Sequence, residues 1–271
     1  MSGKRLAMMH PSNIFWSGPR PDCSGVAVNV PSRDSLLADL DARMKAGQGY
    51  SIATLNLDHI TKLRNQPTFE AAYLAHTHVT ADGNPIVWLS RLAGQDVELL
   101  PGSELIEPVV ALAERNNIGV AFFGSTQDSL DAAADTLVER YPGLDVRAKI
   151  APPMGFDPEG EAGERAIKAL RDSNARLCFV AFGAPKQEIF AARAQEALPQ
   201  MGFVSIGAGL DFISGRQVRA PRIVRRLAGE WLWRLSQDPR RLTKRYGACL
   251  MILPSLFYAA LRQRVQRKIG Q

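Results

Sequence analysis

Residues 118–150 read IGVAFFGSTQDSLDAAADTLVERYPGLDVRAKI. Ile118 to Phe123 is a short apolar run of the kind found in a strand buried on both faces. Gly124-Ser125-Thr126 supplies a turn, and Asp128 to Tyr141 carries apolar residues at helical spacing. Leu144 to Ile150 then returns to strand character, completing a strand–helix–strand unit. The same rhythm extends in both directions. Downstream lie a helix over Glu161–Arg171, a strand over Arg176–Phe182, a helix ending near Ala197 and a strand over Met201–Ile206. Upstream, Leu105–Arg115 reads as a helix and Tyr50–Leu55 as a buried strand. Leu36, Leu37, Leu40 and Met44 mark a first helix, capped by Ser32 or Asp34 and ended by Gly47 and Gly49. Ser24–Val30 has a short strand pattern, and 61–79 reads as one helix and its exit. Apolar runs alternating with helices predict an α/β, Rossmann-like, mostly parallel sheet with helices on both faces.

The 271 residues suffice for one sizeable α/β domain with an appendage. Hydrophobic content of 46% and charged content of 22% are ordinary for a globular chain. The net charge of +6 is unevenly spread: residues 216–271 hold 14 Lys/Arg against Glu230 and Asp238 alone, so this segment carries +12 and the rest −6. A basic tail on an acidic body suits nucleic acid, an anionic membrane or a phosphate-bearing ligand. The boundaries that follow are an N-terminal arm (1–23), an α/β domain (24–215) and a basic helical C-terminal appendage (216–271). The arm has a basic start but no sustained apolar stretch, which argues against a signal peptide.

Cys23, Cys178 and Cys249 are odd in number and far apart, which argues against a disulfide framework or a zinc site and suits a reducing compartment. No H-E-x-x-H, paired-cysteine or G-x-S-x-G motif occurs. His76-x-His78 has strand spacing but no third ligand. Asp39-Leu40-Asp41 resembles a metal–nucleotide D-x-D pair, yet it lies inside the first helix, remote from a strand end, and is rejected as a site. None of these patterns supports a zinc, histidine or D-x-D metal site, and no cofactor is expected.

Candidate binding residues gather where strands end. Thr54, Asn56 and Asp58 stand at the C-terminal end of the Tyr50–Leu55 strand, and ligands of open α/β sheets bind at that edge. Gly124-Ser125, Gly183-Ala184-Pro185 and Gly207-Ala208-Gly209 are three more such ends. Glycine there permits close backbone approach to a phosphate, although a strand-to-helix turn needs it for steric reasons too. None fits the dinucleotide or P-loop fingerprint. Gln187 can both donate to and accept from a base or sugar, whereas Glu188 in a first helical turn has a plain use against the helix dipole. Asp82, in Ala81-Asp82-Gly83, is either a turn former or a carboxylate presented to the pocket.

These residues fall into an ordered set: T-x-N with Asn56, A-D-G with Asp82, G-x-P-K-Q-E over Gly183–Glu188, and G-x-G-x-D over Gly207–Asp211. R-A-P over Arg219–Pro221, E-W-L-x-R-L over Glu230–Leu235 and D-P-x-R over Asp238–Arg241 complete it. The set resembles the WecG/TagA/CpsF glycosyltransferases, glycosyltransferase family 26, from about residue 25 to residue 245. The resemblance implies inverting, metal-independent transfer from a UDP-sugar donor to a polyprenyl-diphosphate-linked saccharide acceptor. It places the work on the cytoplasmic face of a bacterial inner membrane, the protein being peripheral there and serving cell-surface or exopolysaccharide synthesis. It puts the general base on Asp82, the donor pocket on Thr54 and Gln187, and diphosphate-binding arginines on Arg234 and Arg241, with Arg240 beside them. Asn56, Gly124, Ser125, Gly183, Pro185, Glu188, Gly207, Gly209, Asp211 and Arg219 are the further candidates for substrate contact. The chain departs from the family pattern at Glu98–Gly102, where an arginine is usual, and at Gly229, where a leucine is usual.

Tyr246 to Leu261 is a run of uncharged residues between basic flanks, too short to span a bilayer and expected to be interrupted by Pro254. With Trp231, Trp233 and Tyr258 it suits an interfacial segment on an anionic inner-membrane surface; the competing readings are core packing and an oligomer contact. A nucleic-acid-binding module would use the same Arg/Trp segment but gives Asp82, Gln187 and the glycine turns no purpose, so nucleic acid is not expected as a partner. Oligomeric state is left open, homo-oligomer included.

Overall fold

The computed structural model describes residues 14–15, 26–216 and 230–269. Its centre is a six-stranded sheet, ordered β4-β3-β8-β7-β5-β6, with every neighbouring pair parallel. The strands are β3 (Tyr50–Leu55), β4 (His78–Ala81), β5 (Val120–Gly124), β6 (Val146–Ile150), β7 (Leu177–Ala181) and β8 (Gly202–Ser205). β1 (Ile14–Phe15) and β2 (Ala27–Val28) form a separate antiparallel ribbon.

Strand side chains alternate between two faces, and each face has its own helices. Tyr50, Ile52, Val120, Phe122, Leu177 and Phe179 pack with α1 (Arg33–Ala46), α5 (Gly102–Arg115), α6 (Gln127–Arg140) and α9 (Gly209–Ile213). On the opposite face Ala53, Leu55 and Val79 pack with α2 (Leu57–Leu63), α3 (Pro67–Ala75) and α4 (Asn84–Leu92). Ala121, Phe123, Cys178 and Val180 face α7 (Glu161–Asp172) and α8 (Lys186–Ala197) on that side. The expected α/β sheet with helices on both faces is what the chain forms. The first helix is capped as read, by Ser32 with Ser35 closing a capping box, and Gly47 ends it in the left-handed region at φ 69°.

Two local expectations are corrected. The span 61–79 is not one helix: Pro67 restarts the chain as α3, and His78–Ala81 is a strand on the sheet edge. Within α3, Leu74 is half exposed, whereas Phe69 and Tyr73 are buried. Pro254 does not interrupt the tail, because α11 (Pro239–Ile269) runs through it, preceded by α10 (Glu230–Gln237). Pro254 is exposed, and burial of Cys249 and Leu256 on either side holds the helix across the missing hydrogen bond.

α11 packs on the α/β sheet's helices. α11 lies against α2 and α4, and its Leu256 and Ala260 join the core cluster that contains Ile60, Ile86 and Val87. Arg245 pairs with Asp58 at 3.1 Å, and Arg64 donates to Ser255 Oγ at 3.0 Å. Of the arm placed at 1–23, only Ile14–Phe15 falls among the described residues.

Candidate active site

Because all six strands run the same way, five strand exits stand in a row on one edge of the sheet. In spatial order they carry Asp82 after β4, Asn56 after β3, Gly207 after β8, Gly183 after β7 and Ser125 after β5. α2 leaves β3 towards one face of the sheet and α9 leaves the adjacent β8 towards the other, and such a divergence opens a crevice for a ligand.

Asp82 is held at the β4 exit from three directions. Its backbone N–H donates to the Leu55 carbonyl at 2.8 Å. Its carboxylate Oδ2 accepts from Asn56 Nδ2 at 3.2 Å and lies 3.5 Å from the Thr54 hydroxyl. Asn56 also caps α2, its Oδ1 accepting from the His59 amide at 2.9 Å. The T-x-N and A-D-G segments, 26 residues apart, therefore build one carboxylate site. Gly83, at φ 102°, turns the chain away immediately afterwards into α4.

Gln187 and Glu188 open α8. Gln187 is 3% exposed and bridges two neighbours: Nε2 donates to Glu188 Oε1 at 2.8 Å, and Oε1 accepts from the Gly207 amide at 2.9 Å. Glu188 does not project into water as a first-turn acid normally does; it is wholly enclosed. Burial raises its pKa to about 7, the Gln187 hydrogen bond only partly opposing that rise. Lys186 points elsewhere, donating to the Phe156 carbonyl at 2.7 Å.

A buried pair that the sequence did not single out supports this floor. The Tyr73 hydroxyl donates to the Thr54 carbonyl at 2.8 Å, so at its 2.6 Å contact with His59 Nδ1 it accepts the ring's N–H. Burial depresses the His59 pKa to about 3 and keeps the ring neutral. Burial raises the Tyr73 pKa, and the charges of Glu188 and Asp82 add to that rise, so the phenol stays protonated. The available signal was Tyr73 itself, since an aromatic hydroxyl inside a core needs a polar partner.

The candidate glycines divide into two kinds. A Cβ on Gly124 would strike the Ala181 carbonyl, and one on Gly209 would meet Ile106 Cδ1 at 2.6 Å, so close packing accounts for both. A Cβ on Gly183 or Gly207 would meet nothing within 4 Å, so these two border open space. Pro185 stands at the N-cap of α8 after a cis Ala184–Pro185 bond, and Lys62 donates to the Ala184 carbonyl at 3.0 Å. Asp211 ties the row together: its Oδ1 accepts from the hydroxyls of Ser125 and Ser129, both at 2.7 Å. Ser125 holds a φ of 56°, uncommon for a residue with a side chain.

Arg219 lies outside the described residues, and Arg234 and Arg241 fall on α10 and α11 without a described side chain. The departure at Glu98–Gly102 has a structural use. Glu98 accepts from the Arg33 amide at 2.7 Å, Leu100 N–H donates to the Ala81 carbonyl at 2.8 Å, and Gly102 passes beneath Ser205. The rejected D-x-D pair is spent in ion pairs, Asp39 with Arg43 and His78, Asp41 with Lys45 and Arg115. Among the described residues no three His, Cys, Asp or Glu side chains converge as a metal site.

The sequence model of the Glycosyl transferase WecG/TagA/CpsF family matches residues 21–270. An N-acetylglucosaminyldiphosphoundecaprenol N-acetyl-beta-D-mannosaminyltransferase of Staphylococcus aureus strain MW2 is 30% identical over 199 residues, covering 70% of this chain and 76% of the relative. The enzyme of the same name from Bacillus spizizenii is 25% identical over 196 residues, covering 72% of this chain and 74% of its own. With the motifs in order along the chain and their strand exits aligned on one sheet edge, this chain belongs to the WecG/TagA/CpsF family of glycosyl transferases.

Proposed function

We propose that the protein moves an N-acetylhexosaminyl-type sugar from a UDP-sugar to a polyprenyl-diphosphate-linked saccharide, with inversion and without a required metal. The observation that carries this reading is the Asp82 carboxylate, oriented by Thr54 and Asn56 on the cleft edge of a family glycosyl transferase. The relatives' names specify an N-acetylmannosaminyl group and an N-acetylglucosaminyl-diphosphoundecaprenol acceptor, which gives the substrate class.

In the proposed reaction the acceptor hydroxyl attacks the anomeric carbon while Asp82 takes its proton. The bond from that carbon to the diphosphate oxygen breaks, and UDP leaves carrying the electron pair. Inversion follows from a single displacement on the face opposite the leaving group. The growing charge on UDP needs cationic or N–H donors; Arg219, Arg234 and Arg241 are the proposed guanidinium sources, and the open backbone at Gly183 and Gly207 is the proposed N–H source.

Peripheral attachment at the cytoplasmic membrane face is part of the same proposal. Among the described residues no helix is long and apolar enough to cross a membrane. α11 nevertheless shows an exposed apolar stripe of Leu250, Met251, Phe257, Tyr258, Leu261 and Val265.

The test is UDP release from a panel of UDP-sugars with a short-chain polyprenyl-diphosphate N-acetylhexosamine, with and without EDTA. Release that requires acceptor and survives chelation supports the reading. Release abolished by EDTA removes the metal-independent mechanism, and no release with any donor refutes the donor class.

A further inference from the structure

Glu188 occupies a position where an acid ordinarily faces water and complements the helix dipole. Here it is fully enclosed, and enclosing a carboxyl group disfavours folding unless its hydrogen bonds are met. Among the described residues its Oε2 has no hydrogen-bond partner. A carboxyl enclosed with one oxygen unmatched is explained through the contacts of the other oxygen.

Those contacts fix one side chain. Gln187 gives Nε2 to Glu188 Oε1 and receives the Gly207 amide on its own Oε1. Reversing the amide would set N–H against N–H at Gly207 and oxygen against oxygen at Glu188, so only one orientation satisfies both ends. Behind Glu188, His59 Nδ1 stands 3.9 Å from the same Oε1 and is tied through Tyr73 to the Thr54 carbonyl. The carboxyl thus lies between the β3 exit and the β8 exit, beneath both.

We propose that Glu188 is a positioning residue: from under the cleft it fixes the Gln187 amide, which holds the Gly207 amide and so presets the β8–α9 turn for the donor. The link to the donor rests on the UDP-sugar reading above; the fixing of Gly207 does not. What the position requires is an acceptor oxygen rather than a charge. Glu188→Gln keeps that oxygen in nearly the same volume, whereas Glu188→Leu keeps the bulk and removes it.

Two measurements on the full-length protein test the idea. The first is amide hydrogen exchange at Gly207 without ligand. Glu188→Gln should match the parent, and Glu188→Leu should exchange about fivefold to tenfold faster, as expected when one supporting hydrogen bond is lost. The second is UDP binding by titration calorimetry. Glu188→Gln should stay within about threefold of the parent Kd, and Glu188→Leu should weaken it about tenfold when both are measured well below their Tm. Should Glu188→Leu fail to fold, Glu188→Met serves in its place.

Unchanged Gly207 exchange in the Leu variant overturns the latch. Faster exchange with an unchanged Kd overturns its role in binding, and a Gln variant that behaves like Leu overturns the neutral-acceptor requirement. A parent protein that binds no UDP refutes the donor reading instead, and the exchange measurement still decides the latch.

Discussion

At Asp82 the support and the chemistry separate cleanly. Thr54 and Asn56 both offer donors to its carboxylate, so an asparagine in its place can keep an acceptor oxygen in the same cradle while losing basicity. A general base contributes roughly 10²–10⁴-fold, so Asp82→Asn should lose about that much turnover with little change in donor KM. UDP-release kinetics check this, and full activity in the variant refutes the assignment. Glu188 gives a second test, through pH. Its folded pKa of about 7 lies above the ordinary 4.5, so its contribution to stability is complete below about pH 4.5 and disappears as pH rises to about 7. His59 acts in the opposite sense. Its pKa falls from 6.5 to about 3, so the stability it supplies is present above about pH 6.5 and is lost as pH falls towards about 3. The two trends oppose each other across the overlap, and the difference between parent and Glu188→Gln isolates the carboxyl. Unfolding free energies measured in urea should show the parent losing up to about 3 kcal/mol relative to Glu188→Gln between about pH 4.5 and pH 7. Parallel pH curves for the two proteins would show that Glu188 keeps an ordinary pKa.

Among the elements, those most legible from the sequence were strands buried on both faces. β3, β5, β7 and β8 are unbroken buried runs, so their apolar stretches stood out whatever the surroundings. β4 did not, because its four residues His-Val-Thr-Ala owe their burial to neighbours distant in sequence. Asn29 bonds to Thr77 and Val79 along this edge, and Leu99 pairs with Ala81, covering backbone that an edge strand would otherwise expose. The site followed the same division. Asp82, Asn56 and Gln187 were visible as polar residues at chain turns, whereas the Tyr73–His59 support depends on α2 and α3 folding back over β3. Gly102 is a further example, since its necessity comes from the β8 and β3 exits above it. A Cβ there would stand 2.6 Å from the Ser205 carbonyl, 3.0 Å from Ile206 Cα and 3.3 Å from Thr54 Cγ2. Backbone cannot yield as a flexible side chain does, so Gly102→Ala should destabilise the protein by about 1–3 kcal/mol. A urea midpoint equal to that of the parent would show that α5 can shift without cost. Because Thr54 borders the same space, the variant should also lose turnover beyond its loss of stability.

For the whole molecule, the readings of the uncharged run Tyr246–Leu261 were an interfacial surface, core packing and an oligomer contact, and α11 has one face for the core and another for a surface. Leu242, Cys249, Leu256 and Ala260 are buried on one side. Leu250, Met251, Phe257, Tyr258 and Leu261 are exposed on the other, among basic residues that include Lys244, Arg245, Arg262 and Arg264. A helix apolar on two faces has a weak amphipathic pattern, which is why its sequence alone did not sort the readings. Removing 242–271 would strip Leu256 and Ala260 from a shared core cluster and the Arg245 partner from Asp58, so lost vesicle binding by a truncation would not be separable from damage to the fold. Met251→Asp with Phe257→Asp alters only exposed positions and leaves the docked face intact. On vesicles containing anionic lipid the parent should co-sediment and the double variant should not, while Tm and UDP release on a soluble acceptor stay near parental values. Replacing Lys244 and Arg262 with Gln should weaken binding by about 1 kcal/mol for each charge near the surface, and added salt should reduce that difference. Undiminished sedimentation of the Asp double variant would remove the exposed stripe from the membrane contact.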